Sequence, residues 1–290
     1  MTANAKNGFL KREGAWSKQA VHNPVKILIW NLMPNKAETE AQFLSLLDEL
    51  DQDVLVTFMY AQTHHFKSVA VEDLAACYCS LDDLGDQVFD GLIITGAPVE
   101  QLPFEAVDYW CEFKRVRRWA QDHVSQTINA CWSAQAALYH DFDIQKRTLS
   151  QKLFGIYQSR HLNKESALGA HLETFFSPQS RHSESVFEDP LPKDLELVAE
   201  NPVTGPQILQ APALGQTYVT GHAEYLTDTL DAEYRRDLAK GAAIAPPVNY
   251  YDRQHRVCNR WRASSIQLYQ NWLNLIESEI PNYERKSLTF

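Results

Sequence analysis

The sequence predicts an α/β fold, a mostly parallel sheet with helices on both faces, and three observations point to it. Short apolar runs rich in Val, Ile and Leu recur through the first 140 residues. Segments with apolar residues at helical spacing separate them, and each run ends in a loop of small or polar residues. Strands alternating with helices give parallel pairing through right-handed crossovers. In such sheets ligands bind at the carboxyl ends of the strands.

Residues 25–30 form the first predicted strand, a buried apolar run that ends in Asn31-Leu32-Met33-Pro34. Residues 38–50 follow as an amphipathic helix whose apolar face is Phe43, Leu44, Leu46, Leu47 and Leu50, with acidic residues in the first turn. Residues 54–60 read as the second strand, followed by a polar loop with His64 and His65 and a mixed helical segment. Residues 92–95 are the third strand, entering the turn Gly96-Ala97-Pro98. A helix rich in Trp, Arg and Glu spans 107–123, a strand spans 127–130, and a small-residue helix spans 134–139 after Cys131. From 149 to 192 the pattern turns irregular and polar, which predicts a long excursion rather than another regular unit. Strands return at 195–200, 207–211 and 217–220, the last running into Gly221-His222-Ala223-Glu224. Helices at 230–240 and 264–276 close the chain, the second burying Ile266, Leu268, Trp272, Leu273 and Ile276. With no internal repeat, low-complexity tract or Pro/Gly/Ser-rich linker, the expectation is one domain over 25–280. A polar N-terminal extension (1–24) and a C-terminal tail (281–290) flank it.

Composition narrows the function. A chain of 290 residues is long enough to bury a sizeable core. Its 27 Lys+Arg against 37 Asp+Glu, a net charge of −10, argue against nucleic acid or an anionic membrane as partner, since both need basic surface. Small-molecule substrates remain. The five cysteines, Cys77, Cys79, Cys111, Cys131 and Cys258, contain no C-x-x-C pair and no zinc-like cluster, so reduced thiols and no metal site are expected. The first twenty residues lack an apolar core and no run approaches membrane-spanning length, which predicts a cytoplasmic protein.

Cys131 stands where a predicted strand meets a predicted helix. A nucleophile there projects from the backbone, feels the helix's partial positive charge and has backbone N–H groups nearby for an oxyanion. The competing reading is a buried structural cysteine. His222 and Glu224 sit at the end of another strand. Two apart on an extended segment they share a side, so the carboxylate can orient the imidazole while the imidazole takes a proton. Cys, His and carboxylate at separate strand ends make a nucleophilic triad.

The strings NLMPNKAETEAQFLSLL, FDGLIITGAPVEQLPFEAVDYW, ACWSAQAALYH, QKLFG, SRHSE, VTGHAEY and the closing WR…NWLN resemble the homoserine O-acyltransferases of the class I glutamine amidotransferase-like superfamily. The similarity runs from about residue 25 to 275. It implies that Cys131 carries the acyl group as a thioester, that His222 is the base and that Glu224 is the third member. It further implies substrate contacts at Lys152, Ser180, Arg236 and Glu233, with Lys36 near the active site. A buried Arg and a buried Glu would pair the carboxylate and ammonium of an amino-acid acceptor. Glu100 matches the position that sorts acyl donors, where a carboxylate resembles acetyl-CoA users and a glycine succinyl-CoA users. Its side chain would fill the space of a succinyl tail and repel the terminal carboxylate.

By that resemblance the reaction is acetyl transfer from acetyl-CoA to the hydroxyl of L-homoserine, in methionine and cysteine biosynthesis. It needs no bound cofactor, and backbone amides near Trp132 and Ala97 would hold the oxyanion. A homodimer is also implied. The sequence departs from the family pattern at Ala223, where proline is usual, at Ser133, at Gln179, and at Ile156-Tyr157-Gln158-Ser159-Arg160. L-Serine as acceptor therefore stands beside homoserine, one methylene being worth only about 1–3 kcal/mol of discrimination. A glutaminase-type amide hydrolase and a non-catalytic binding protein are the readings from other classes.

Overall fold

The computed structural model describes residues 2–18, 21–66 and 69–287, with side chains through residue 279. The N-terminal half consists of β1 (Ala3–Ala5), α1 (Phe9–Arg12), β2 (Val25–Trp30), α2 (Lys36–Leu47), β3 (Val54–Met59), α3 (Val71–Ala75), α4 (Leu81–Leu84) and β4 (Phe89–Ile94). Next come α5 (Trp110–His123), β5 (Val124–Ala130), α6 (Trp132–Phe142), β6 (Lys146–Gln158), β7 (His161–Leu162) and β8 (Phe176–Ser185). The chain closes with β9 (Glu196–Asn201), β10 (Gly205–Ala211), β11 (Gln216–Val219), α7 (Thr229–Ala239) and α8 (Arg262–Ser287).

The main sheet has the order β1-β3-β2-β4-β5-β11-β10-β9-β7. It is parallel from β1 through β11 and antiparallel beyond. Alternation along β2 explains the two layers. Ile27 and Ile29 face the cluster that holds Phe43 and Leu47 of α2 with Leu268 and Trp272 of α8. Leu28 and Trp30 face the opposite cluster, with Phe113 and Val116 of α5 and Trp132 and Ala136 of α6. These side chains are fully buried, and burial of each Ile, Leu, Val or Phe among them contributes about 1.5–3 kcal/mol.

Three expectations change. The N-terminal extension is not merely a lead-in, because β1 is the parallel edge strand of the sheet, with Ala3 opposite Val54 and Ala5 opposite Val56. Two alanines carry almost no apolar signal, and backbone bonds hold the strand, Lys6 N donating to Val56 O at 2.7 Å and Val54 N to Thr2 O at 3.0 Å. The irregular excursion contains a regular unit, since β6 and β8 form a separate antiparallel two-stranded sheet. Its inward residues on β8 are Ser177, Gln179, Arg181 and Ser183, so the buried face is polar and the apolar alternation that marks a strand is missing. The final helix runs on through Ser287, into the segment read as a tail; residues 288–290 lie outside the described residues.

Candidate active site

Three neighbouring parallel strands deliver the site at their carboxyl ends. β5 and β11 pair with Ala130 opposite Val219, and Cys131 N donates to Val219 O at 2.8 Å. β4, on the other side of β5, leads to Gly96. A Cβ built on Gly96 would lie 3.3 Å from His222 Cε1 and 3.4 Å from Cys131 Cβ, so this backbone packs directly against both.

Cys131 is the N-cap of α6, with φ 51° and ψ −111°. A side chain with a Cβ rarely adopts a positive φ, and such conformations cost on the order of 1–3 kcal/mol and cluster at functional sites. The turn is pinned by Ser133, whose fully buried hydroxyl accepts from Ala130 N at 2.8 Å and reaches Ile94 O at 2.7 Å. Ser133 thus ties β4 to the turn, work that a glycine or alanine there could not do. Trp132 opens α6, so its amide is among the helix's first N–H groups, which have no intrahelical partner.

His222 Nδ1 lies 2.7 Å from Glu224 Oε1, and both residues are buried. The expected extended segment is a turn, closed by Tyr225 N donating to His222 O at 3.3 Å. The turn, rather than the two-residue period of a strand, brings carboxylate and ring together. With Nδ1 committed to Glu224, Nε2 is the nitrogen left for the Cys131 thiol. Burial alone would lower the His222 pKa, but the charges of Cys131 and Glu224 and its hydrogen bonds to both hold it well above the usual value. His222 N donates to Pro178 O at 2.9 Å, which anchors the segment to β8. Only glycine fits at 221, since a Cβ there would meet Ser177 Oγ, the Pro178 carbonyl and, at 2.6 Å, Gln179 Nε2.

Cys131 and His222 open into a cavity of about 540 Å³. Lys152, Ser180, Glu233, Arg236, Glu100 and Ala97 line it as well, so most residues singled out in the sequence meet in one place. Glu233 is its hub. Its Oε2 accepts from Lys152 Nζ at 3.2 Å and Ser180 Oγ at 2.5 Å, and its Oε1 from Tyr225 OH at 2.6 Å. Burial raises the Glu233 pKa, but Lys152, these two hydroxyls and His222 together bring it below the usual carboxylate value. Glu100 Oε2 accepts from His182 N at 2.9 Å, and Lys146 Nζ holds the carbonyls of Glu100 and Leu102 at 2.5 and 2.6 Å.

Two expected ligands sit differently. Lys36 does not line the cavity; at the start of α2 its Nζ turns inward, donating to Asn31 O at 2.6 Å over the Phe66 ring. Burial lowers its pKa to about 7 against the opposing pull of Glu40. Arg236 reaches the cavity but is 51% exposed and paired with Asp237, so the interior cation is Lys152, not a buried arginine. Glu224 stands behind His222, outside the lining. Gln179, one of the departures, accepts from Arg181 Nε at 2.9 Å and supports β8 rather than facing the cavity.

Sequence reasoning missed Tyr225, His182 and Asp237. Asp237 was legible in principle, because it lies four residues from Glu233 on a predicted helix and both carboxylates converge on Lys152. Tyr225 follows Glu224 directly but carries no spacing signal of its own. Among the described residues no group of three or more His, Cys, Asp or Glu is arranged to hold a metal, and no helix is long and apolar enough to cross a membrane.

Comparison with known proteins adds the chemistry. A homoserine O-succinyltransferase family profile matches residues 3–282. The homoserine O-acetyltransferase of Lachnoclostridium phytofermentans is 42% identical over 275 residues, covering 92% of this chain and 91% of that protein. The homoserine O-acetyltransferase of Clostridium novyi is 39% identical over 291 aligned positions, covering 98% and 96%. Among solved structures, a glutamine amidotransferase from Thermotoga maritima superposes with a TM-score of 0.59 at 11% identity, over 88% of this chain and 100% of that one. A glutamine amidotransferase from Methylobacillus flagellatus gives 0.55 at 12% identity, over 87% and 94%. The structural likeness shows the fold, a glutamine amidotransferase-like sheet.

Proposed function

The chain belongs to the homoserine O-succinyltransferase family, and on that premise we propose that it moves an acetyl group from acetyl-CoA to the side-chain hydroxyl of L-homoserine through an acetyl-Cys131 intermediate. One observation carries the reading: Cys131 and His222 face the same cavity as Glu233, Lys152 and Ser180, so a nucleophile with its base looks onto a charged seat for an amino acid. Relatives near 40% identity over most of the chain bear the name homoserine O-acetyltransferase, which favours that acceptor and that donor.

In the first half-reaction His222 Nε2 takes the thiol proton of Cys131, and the thiolate attacks the thioester carbonyl. Amides of Ala97 and Trp132 stabilise the oxyanion. The C–S bond to CoA breaks, CoA leaves as the thiol with the proton from His222, and acetyl-Cys131 remains. In the second half, His222 takes the proton of the acceptor hydroxyl as that oxygen attacks the acetyl carbon. The bond to Sγ breaks, the proton returns to sulfur, and the O-acetyl amino acid departs. Glu224 keeps the imidazole in the required tautomer and stabilises its charged form. Glu233 takes the acceptor's ammonium, and Arg236 at the mouth takes its carboxylate. Glu100 excludes a succinyl tail. No bound cofactor enters the scheme, and a cytoplasmic homodimer accompanies it.

The test is a CoA-release assay with acetyl-CoA or succinyl-CoA as donor and L-homoserine or L-serine as acceptor, with mass spectrometry of the Cys131 peptide. Acetyl-CoA with L-homoserine is expected to be the best pair, and acetyl-CoA alone to leave an acetyl adduct on Cys131. Preference for L-serine would reassign the acceptor; an unlabelled Cys131 would remove the covalent intermediate. Sedimentation of the purified protein tests the dimer.

A further inference from the structure

His222 serves both proposed half-reactions and Glu233 only the second, yet one side chain touches both. Tyr225 stacks on His222 with ring centroids 4.2 Å apart and planes 16° apart. Its hydroxyl donates to Glu233 Oε1 at 2.6 Å. The tyrosine is itself held, Trp261 Nε1 donating to its carbonyl at 2.8 Å while Phe154, Leu230 and Tyr250 pack in the same apolar cluster.

The two contacts act on different freedoms. Once Nε2 no longer holds the Cys131 thiol, the ring is bonded at Nδ1 alone and can rock about that bond, a motion that a parallel face 4.2 Å away restricts. A carboxylate offers about four acceptor sites, two per oxygen. Lys152 and Ser180 occupy Oε2 of Glu233, and Tyr225 occupies one site of Oε1. The site left for an incoming ammonium is therefore on Oε1, beside the tyrosine hydroxyl. Burial and the carboxylates of Glu233 and Glu224 keep the Tyr225 phenol well above its usual pKa, so it stays a donor.

We propose that Tyr225 is a positioning residue with two separable parts: its ring sets the plane of His222 for both acyl transfers, and its hydroxyl sets Glu233 for the acceptor alone. The acceptor half of this assignment rests on the acetyl-transfer reading above; the ring half does not.

The experiment compares wild type, Tyr225→Phe and Tyr225→Leu in rapid-quench acylation of Cys131 by acetyl-CoA, in acceptor KM, and in the pH profile of Cys131 alkylation by iodoacetamide. Tyr225→Phe keeps the ring, so acylation is expected within about twofold of wild type while acceptor KM rises roughly tenfold or more, the effect of losing a hydrogen bond to a charged group. Tyr225→Leu loses both parts, so acylation also slows, by about tenfold. The proposal is overturned if Tyr225→Phe slows acylation as much as it raises KM, or leaves KM unchanged. Failure of wild-type Cys131 to acetylate would sink the acetyl-transfer reading but not the ring's role, which the alkylation profiles decide. Tyr225→Phe should superpose on wild type and Tyr225→Leu should be displaced; superposition of all three rejects the ring's role. Should Tyr225→Leu fail to fold, the Tyr225→Phe profile carries the decision, and its displacement from wild type overturns the division of roles.

Discussion

Glu224 offers His222 one carboxylate oxygen and leaves the other bare: Oε1 lies 2.7 Å from Nδ1, and Oε2 is buried with no hydrogen-bond partner among the described residues. The charge of Glu224 is thus committed to the imidazole. Glu224→Gln keeps the shape and removes the charge, so turnover is expected to fall by about two to four orders of magnitude. Steady-state kinetics checks this, with urea denaturation to show that the fold survives. Turnover within tenfold of wild type would take Glu224 out of the reaction.

The positive φ of Cys131 predicts an opposition between function and stability. Glycine adopts that conformation freely, whereas alanine shares the strain of cysteine. Cys131→Gly should be more stable than Cys131→Ala by about 1 kcal/mol in urea denaturation, with both variants inactive. Equal midpoints would mean that the turn is relaxed.

Lys36 carries a pH dependence whose sign follows from burial. Its pKa is about 7 in the folded protein and 10.5 when unperturbed, so between those values the unfolded chain holds the extra proton. Below about pH 7 the lysine is charged in both states and the burial penalty is fully present. The penalty is relieved as pH rises to 10.5, by about 1.4 kcal/mol per unit. Lys36→Met has no such penalty. Its stability relative to wild type should therefore be highest at neutral pH and decline toward pH 10, as measured by denaturant unfolding of both proteins. A difference that does not vary with pH would contradict a buried, titrating lysine.

Removing the Glu100 side chain should change the donor without dismantling the loop. Lys146 grips the main-chain carbonyls of Glu100 and Leu102, and those bonds survive in Glu100→Gly. The ratio of kcat/KM for succinyl-CoA to that for acetyl-CoA is expected to rise at least tenfold. An unchanged ratio would place donor selection elsewhere.

The parallel sheet, its edge strand β1 excepted, was legible from apolar runs such as residues 25–30, and Cys131 and His222 because each ends a strand. The polar sheet of β6 and β8 was not. The residues that β8 turns inward are Ser177, Gln179, Arg181 and Ser183, whose burial is stabilised by hydrogen bonds that leave no hydropathy pattern. The same physics hid Tyr225 as a partner of Glu233 and left Lys152 and Ser180 to the family resemblance. Lys152, Ser180 and Tyr225 come from β6, β8 and the turn after β11, and only the folded register brings them within 3.2 Å of one carboxylate. The burial of Arg236 was misjudged for a related reason: spacing places it on the same helix as Glu233 but does not reveal that it pairs with Asp237 and stays half-exposed.

The pairing of β5 with β11 also sets an order of events during synthesis. Cys131 leaves the ribosome roughly ninety residues before His222, and a non-local strand pair of this kind closes late because its loop entropy must be offset first. Through that interval Cys131 has neither His222 nor the strand that accepts its amide hydrogen bond. On the proposed roles, a nascent chain stalled before β11 should therefore hold the thiol but be unable to acylate it; the pair for the first half-reaction is complete only when the second strand docks, and the acceptor seat on α7 follows it.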